Sequence, residues 1–318
     1  MYVGTTIPVR GPLANPADVR LLAEKTEALG FDHLAVTDHV VVPKTIDSRY
    51  PYSKSGAFPG SPSGACFDQF SLLAFLAAIS TKPRLVTAIT VIPHRGAVHT
   101  AKIVSTIDVL SGGRVVLGVG AGWMKEEFEA LNLPPFEARG RVTDEYLDAF
   151  KILWTEDDPR YDGEHVQFAN INFLPKPVQT PHPPIWVGGE SPAALRRALR
   201  AGDVWFPIAN NPRYPMDTAQ RFKDGVERLH RAAEKQQRDP KSIGLALFAN
   251  WYDETKTAKT DDGERQLLTG SAADIADDIN ALSGLGVTDL ILQFQRDTLE
   301  QTLDSMHFFT SEVRPALG

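Results

Sequence analysis

The chain has 318 residues, 42% of them hydrophobic and 23% charged, the make-up of an ordinary globular protein. A formal charge of −7 without any Lys/Arg-rich block excludes a nucleic-acid backbone as the main partner. The longest apolar run, 72–79, is too short to span a bilayer, and the opening Met1-Tyr2-Val3-Gly4 lacks the basic-then-apolar pattern of a leader. The single cysteine, Cys66, cannot form an internal disulfide and fits a reducing compartment, so a cytoplasmic protein acting on a small molecule is expected, with no membrane partner. With no activating partner near it in sequence, Cys66 reads as a small loop residue rather than a nucleophile.

Strand-like and helix-like segments alternate along the chain. Residues 3–9 read as a strand, and Asn15 before Pro16 caps a helix that runs to Gly30. A second strand covers 31–37, followed by a long loop, 38–65, rich in Pro, Gly, Ser and Tyr. Helix 67–80, strand 85–92 and helix 97–110 come next. The turn Ser111-Gly112-Gly113 then launches an apolar run, 115–119, that reads as a fully buried parallel strand. A helix is expected over 139–154, and an irregular insertion with a possible hairpin over 157–183. The series continues with strand 184–188, helix 193–200, strand 203–206, helix 213–237 and strand 242–249. The polar segment 251–268 is expected to be mobile, and helix 271–285, strand 287–294 and helix 298–317 complete the chain. Parallel strands need helical crossovers, and this many strand–helix pairs fit a closed (β/α)8 TIM barrel better than an open doubly wound sheet. No compositional break divides 1–318, so a single domain is expected.

In such a barrel the working face is built from the residues just past the C-terminal end of each strand. Here that means Arg10 after the first strand, Asp38-His39 after the second, His94-Arg95 after the third, and Gly120, Gly122 and Trp123 after the fourth. The fifth ends in Gly188-Gly189-Glu190-Ser191-Pro192. Asp38-His39 is the best acid/base candidate, because an imidazole exchanges protons near neutrality and the pair stands just past a buried strand; the competing reading is a hydrogen-bonded structural histidine. His33, inside the strand pattern, reads as structural. His94 and His99 flank a turn, and the spacing of histidines and carboxylates suggests no metal site. Alternate glycines at 118, 120 and 122 let a flat ring approach the backbone, or allow tight strand–helix packing. They are not the dinucleotide fingerprint, which would need glycine where Trp123 stands. Gly188 to Ser191, ending a strand and opening a helix, make an anion shelf, although capping by Ser191 with Pro192 at the first helical position would explain that pair alone. A ring shelf beside an anion shelf suggests a flavin-like cofactor.

Four segments carry a resemblance: Gly30-Phe-Asp-His-Leu-Ala-Val-Thr-Asp-His39, Leu110-Ser-Gly-Gly-Arg-Val-Val-Leu-Gly-Val-Gly-Ala-Gly-Trp123, Phe136-Glu-Ala-Arg-Gly-Arg141 with Asp144-Glu145, and Pro184-Ile-Trp-Val-Gly-Gly189 with Ser191. With them the chain resembles the bacterial luciferase-like superfamily of flavin and deazaflavin oxidoreductases, and most of all its coenzyme F420-dependent branch. The resemblance implies a barrel with insertions, often paired as a homodimer, and a bulge after the third strand with a non-prolyl cis peptide at Ala88–Ile89 and Thr90 next. It implies that the cofactor ring lies on that bulge. Asp38 would contact the cofactor or orient His39, His39 would handle a proton as hydride moves at ring carbon C5, and Gly188, Gly189, Glu190 and Ser191 would receive the cofactor phosphate. The sugar-phosphate dehydrogenase of the family carries glutamate, threonine and lysine where Trp123, Ile208 and Asn211 stand here, which argues against a phosphorylated sugar. Trp123, Phe206, Ile208 and Trp251 suggest an apolar substrate pocket. Ala121 stands where FMN monooxygenases hold an arginine, which favours F420; Glu190-Ser191 is similar to the FMN enzymes, which keeps FMN as the alternative. The remaining rival is a barrel that binds a cofactor without turnover.

Overall fold

Eight parallel strands pair edge to edge and close on themselves in a computed structural model that describes residues 1–60 and 64–317. They are β1 (Tyr2–Thr6), β2 (His33–Val36), β3 (Arg84–Thr87), β4 (Val115–Gly120), β5 (Ile185–Gly188), β6 (Val204–Phe206), β7 (Gly244–Ala249) and β8 (Val287–Leu292). β1 pairs with β8 (Tyr2 opposite Asp289) and β3 with β4 (Leu85 opposite Val115), which closes the ring of eight strands. This is the (β/α)8 barrel, and an open doubly wound sheet is excluded by that closure. Both faces of each strand are covered, which is why the strands read as near-continuous apolar runs. Inside, Val86, Val116, Trp186, Phe206 and Ile291 fill the barrel; outside, a larger core packs beneath the helices.

Local signals explain most helix ends. Asn15 caps α1 (Pro16–Ala28) by accepting from the Asp18 N–H, and Asp68 does the same for α2 (Gln69–Ile79) at Ser71. α3 (Ala97–Ser111) ends at Gly112, φ +67. A short α4 (Lys125–Ala130), not anticipated from sequence, precedes α5 (Arg139–Thr155) and α6 (Pro192–Ala201). α7 (Ala219–Lys235) starts later than expected, because residues 211–216 turn back, with the Met216 N–H on the Ala209 carbonyl, and Thr218 supplies the cap. α8 (Ala272–Gly284) opens on a capping box of Ser271 and Asp274. The last helix is not continuous to 317: α9 (Leu299–Phe308) passes into a wider turn, Phe309–Val313, and then Arg314–Ala316.

The insertion contains the expected hairpin, Tyr161–Asp162 against Gln167–Phe168. The polar segment after Ala249 is tied down, with Trp251 Nε1 donating to the Leu267 carbonyl and Arg265 paired with Asp278. Of the long loop 38–65, residues 61–63 lie outside the described residues. Among the described residues, no helix is long and apolar enough to cross a membrane.

Two departures from simple strands matter for the site. The expected strand 85–92 breaks after Thr87, with a cis peptide at Ala88–Ile89, and pairing with β4 resumes only at Thr90–Val91, opposite Val119 and Gly120. The bulge needs room on β4: a Cβ at Gly118 would lie 1.9 Å from the Thr87 carbonyl oxygen, and one at Gly120 would lie 2.6 Å from the Ile89 side chain. The glycines at 118 and 120 are therefore set by the fit of β3 against β4. At the other end of the barrel, His33 is wholly buried with Nε2 2.9 Å from Asp289 Oδ1, so it is structural as expected.

Candidate active site

The C-terminal ends of the strands surround a cavity of about 1080 Å³. It brings together Asp38 and His39, Ala88 and Ile89 of the bulge, Gly120, Gly122 and Trp123 after β4, the shelf Gly188–Ser191, and Phe206 with Ile208. Two expected residues stay outside it. Thr90 is buried, its hydroxyl donating to Gln69 Oε1 at 2.7 Å, and Trp251 packs against the outer core.

His39 is held from behind. Its Nδ1 lies 2.8 Å from Glu127 Oε2, and the other Glu127 oxygen accepts the backbone N–H groups of Val40 (2.8 Å) and Val41 (3.3 Å). Burial raises the Glu127 pKa, but the hydrogen bond and charge of His39, the charge of His94 and the Val40 amide outweigh it and hold the group below the ordinary carboxylate value. An ionised carboxylate only accepts, so Nδ1 carries the hydrogen and Nε2 is the nitrogen left to the cavity. His94 lies behind this pair, 3.8 Å from Glu127; burial lowers its pKa against the pull of Glu127 and Asp38.

Asp38 is committed elsewhere. Arg95 grips both of its oxygens (2.9 and 3.0 Å), and Oδ2 also accepts the Val91 N–H at 2.9 Å, so Asp38 anchors the chain just beyond the bulge. The partner of His39 is thus Glu127 rather than its neighbour Asp38. Sequence position places Arg95 on the working face after the third strand, but neither its pairing with Asp38 nor any role for Glu127 follows from it. Both lie in noted segments, but Glu127 is 88 residues from His39, and no spacing signal links them.

At the opposite wall Gly189 has φ +98, a value that favours glycine, and Ser191 caps α6 by accepting from the Ala194 N–H at 3.2 Å. The shelf is therefore backbone at a helix N-terminus, a setting that attracts anions. The Glu190 side chain turns away from it: 2% exposed, it accepts from the Ile208 N–H (2.8 Å) and Asn211 Nδ2 (2.5 Å), and burial pushes its pKa up to about 7. Arg139, stacked 3.9 Å from the Phe136 ring centre, and Arg213 line this part of the cavity without an ion pair among the described residues; Arg197 is matched by Asp144 at 2.7 Å.

The apolar wall is larger than expected. Tyr50 and Phe58, from the long loop, pack on Trp123 with ring centres 5.1 and 5.4 Å away. Glu126 of α4 pins that loop by accepting the N–H groups of Asp47 and Ser48, each at 2.8 Å. Cys66 is half-buried and its thiol pKa is raised by burial, the opposite of an activated nucleophile.

Residues 1–252 match the family described as luciferase-like monooxygenase. An uncharacterised protein of Mycobacterium tuberculosis (strain ATCC 25618 / H37Rv) is 33% identical over 214 residues, 67% of this chain and 72% of that one. The FMNH(2)-dependent dimethylsulfone monooxygenase of Pseudomonas putida is 38% identical over 138 residues, 43% of this chain and 38% of that one. Among solved structures, an F420-dependent secondary alcohol dehydrogenase in complex with an F420-acetone adduct superposes with a TM-score of 0.75 at 17% identity, covering 100% of this chain and 99% of that one.

Proposed function

The chain belongs to the luciferase-like monooxygenase family, and from that premise we propose that it is a coenzyme F420-dependent oxidoreductase acting on a small, fairly apolar substrate. The observation that carries the reading is His39: its Nδ1 is engaged by Glu127, and it lines the same cavity as Ala88 and Ile89 of the bulge. The residues fit a flat ring with an anionic tail. The cavity of about 1080 Å³ has the bulge on one wall, a helix N-terminus on another, and two arginines in its lining, Arg139 and Arg213, that make no ion pair among the described residues.

When bound, the deazaflavin supplies a hydride carrier at C5. The chain supplies the rest. Gly188, Gly189 and the α6 terminus would hold the anionic tail, and Ala88 with Ile89 would back the ring. His39 removes a proton at Nε2 from a substrate hydroxyl, or returns one in the reverse direction; Glu127 stabilises the imidazolium that forms. Trp123, Phe206 and Ile208 exclude water from the reacting carbon.

Titrating the purified protein with F420 and FMN side by side tests the reading. Saturable F420 binding together with anaerobic reduction of F420 by an alcohol from a panel is the expected result; binding of neither cofactor overturns it. A second reading, an FMN-dependent monooxygenase, is favoured by the 38% identity to the dimethylsulfone enzyme. Preferential FMN binding with oxygen-dependent turnover would select it.

A further inference from the structure

We propose that the His39 end of the cavity is a subsite for an aromatic carboxylate, with Arg10 as the group that binds the carboxylate. The proposal rests on the reading above for its chemistry and names the substrate class of the same site.

The balance of charge around the cavity carries it. Asp38 is neutralised by the two-pronged grip of Arg95, which also takes Asp68 at 2.8 Å. Glu127 is matched by His39 and two backbone amides. Arg197 has Asp144, and Glu190 lies buried against Ile208 and Asn211. Arg139 and Arg213 belong with Arg197 and Asn211 at the anion shelf. On the loop above His39, Arg49 and Lys54 also line the cavity but are exposed, whereas Arg10 is half-buried, makes no ion pair among the described residues, and stands with Cζ 5.0 Å from the centre of the Phe58 ring. A guanidinium offers five N–H donors in a planar fork that matches a carboxylate two-on-two, and it stacks readily on aromatic faces. Arg10 lies a few residues past β1, so the barrel fixes its place on the rim.

The wall beside it selects the rest of the molecule. The ring centre of Phe58 is also 5.0 Å from that of His39, so the guanidinium and the imidazole share one aromatic neighbour. Trp123 lies 5.4 Å from Phe58, tilted by 49°, and 6.5 Å edge-on from His39, so the three rings form an angled aromatic surface. A benzenoid ring on that surface places its carboxylate at Arg10 and a para or meta substituent toward His39. The ring contacts contribute apolar burial and the fork contributes orientation.

Calorimetric titration of the cofactor-free protein with benzoate, benzamide and acetate tests the subsite. Benzamide matches benzoate in shape without the charge, and acetate carries the charge without the ring. Benzoate is expected to bind at least about tenfold more tightly than either. Arg10→Met keeps the stem on Phe58 and should bring benzoate down to the affinity of benzamide; Arg10→Lys keeps the charge without the fork and should retain part of the preference. Equal affinities for benzoate and benzamide in the wild type, no measurable benzoate binding, or a preference that survives in Arg10→Met each overturn the proposal. The Arg10→Lys protein and the wild-type ratio decide the matter if Arg10→Met does not fold. FMN and F420 titrated into the same preparation report on the cofactor separately. A protein that binds neither but prefers benzoate sinks only the functional reading, and one that binds a cofactor without that preference sinks only the subsite.

Discussion

A histidine at the mouth of a barrel becomes a directed base only when something fixes its tautomer, and here that is Glu127 at 2.8 Å from Nδ1. Glu127→Gln keeps the size and still offers an oxygen to the Val40 and Val41 amides, but it removes the charge that stabilises an imidazolium. Turnover should fall by about 10- to 100-fold with cofactor affinity unchanged. His39→Ala should cost at least as much, and the double variant should be no worse than His39→Ala, since both remove one unit. An unchanged rate in Glu127→Gln would reduce Glu127 to a prop for the loop. Glu190 makes a second residue-scale prediction. Its folded pKa of about 7 lies above the ordinary 4.5, so the folded protein holds the proton more tightly than the unfolded chain does. That stabilisation is complete below pH 4.5 and is lost as pH rises through 7, a change of about 3 kcal/mol for a shift of this size. Melting the wild type and Glu190→Gln from pH 5 to 8 should show the wild type losing stability relative to the variant across that range. Parallel curves would mean that the carboxyl is ionised throughout.

At the scale of elements, the contact between β3 and β4 is the most demanding in the fold. An alanine methyl at Gly118 meets a backbone carbonyl at 1.9 Å, whereas at Gly120 it meets the end of the Ile89 side chain at 2.6 Å, which can move. Gly118→Ala should therefore cost about 3 kcal/mol or more, or prevent folding, and Gly120→Ala about 1 kcal/mol. Urea unfolding of the two variants checks the order; equal costs would mean that the bulge slides freely along β4. The same contact marks where the sequence stops being readable. The alternation of apolar runs with capped helices is local, so the eight-fold repeat and elements such as α1 and α6 can be read from neighbouring residues. The break in β3, which the family resemblance implies, is accommodated by the glycines of β4 and leaves no trace in residues 84–91 themselves. Likewise Asp38–His39 could be found from its place after β2, but their partners Arg95 and Glu127 arrive from other strands' loops. Glu190 shows the converse: its motif suggested a phosphate contact, and only the fold reveals the side chain turned toward Ile208 and Asn211.

Across the whole molecule, charge is distributed against the overall sign. The chain carries a formal −7, yet Arg10, Arg139 and Arg213 line the cavity without a salt bridge among the described residues. An acidic body repels an anionic cofactor, so the approach depends on the local positive field at the mouth, which dissolved salt screens over about 8–10 Å at 0.1–0.15 M. The association rate of F420 or FMN should accordingly fall several-fold as salt is raised from about 20 mM to about 0.5 M, while dissociation changes little. Arg213 is exposed at the rim, so Arg213→Gln should lower the rate at low salt and flatten its salt dependence. Stopped-flow binding measures both. An association rate indifferent to salt would show that the cofactor enters without electrostatic guidance, and the arginines at the shelf would then act only after docking.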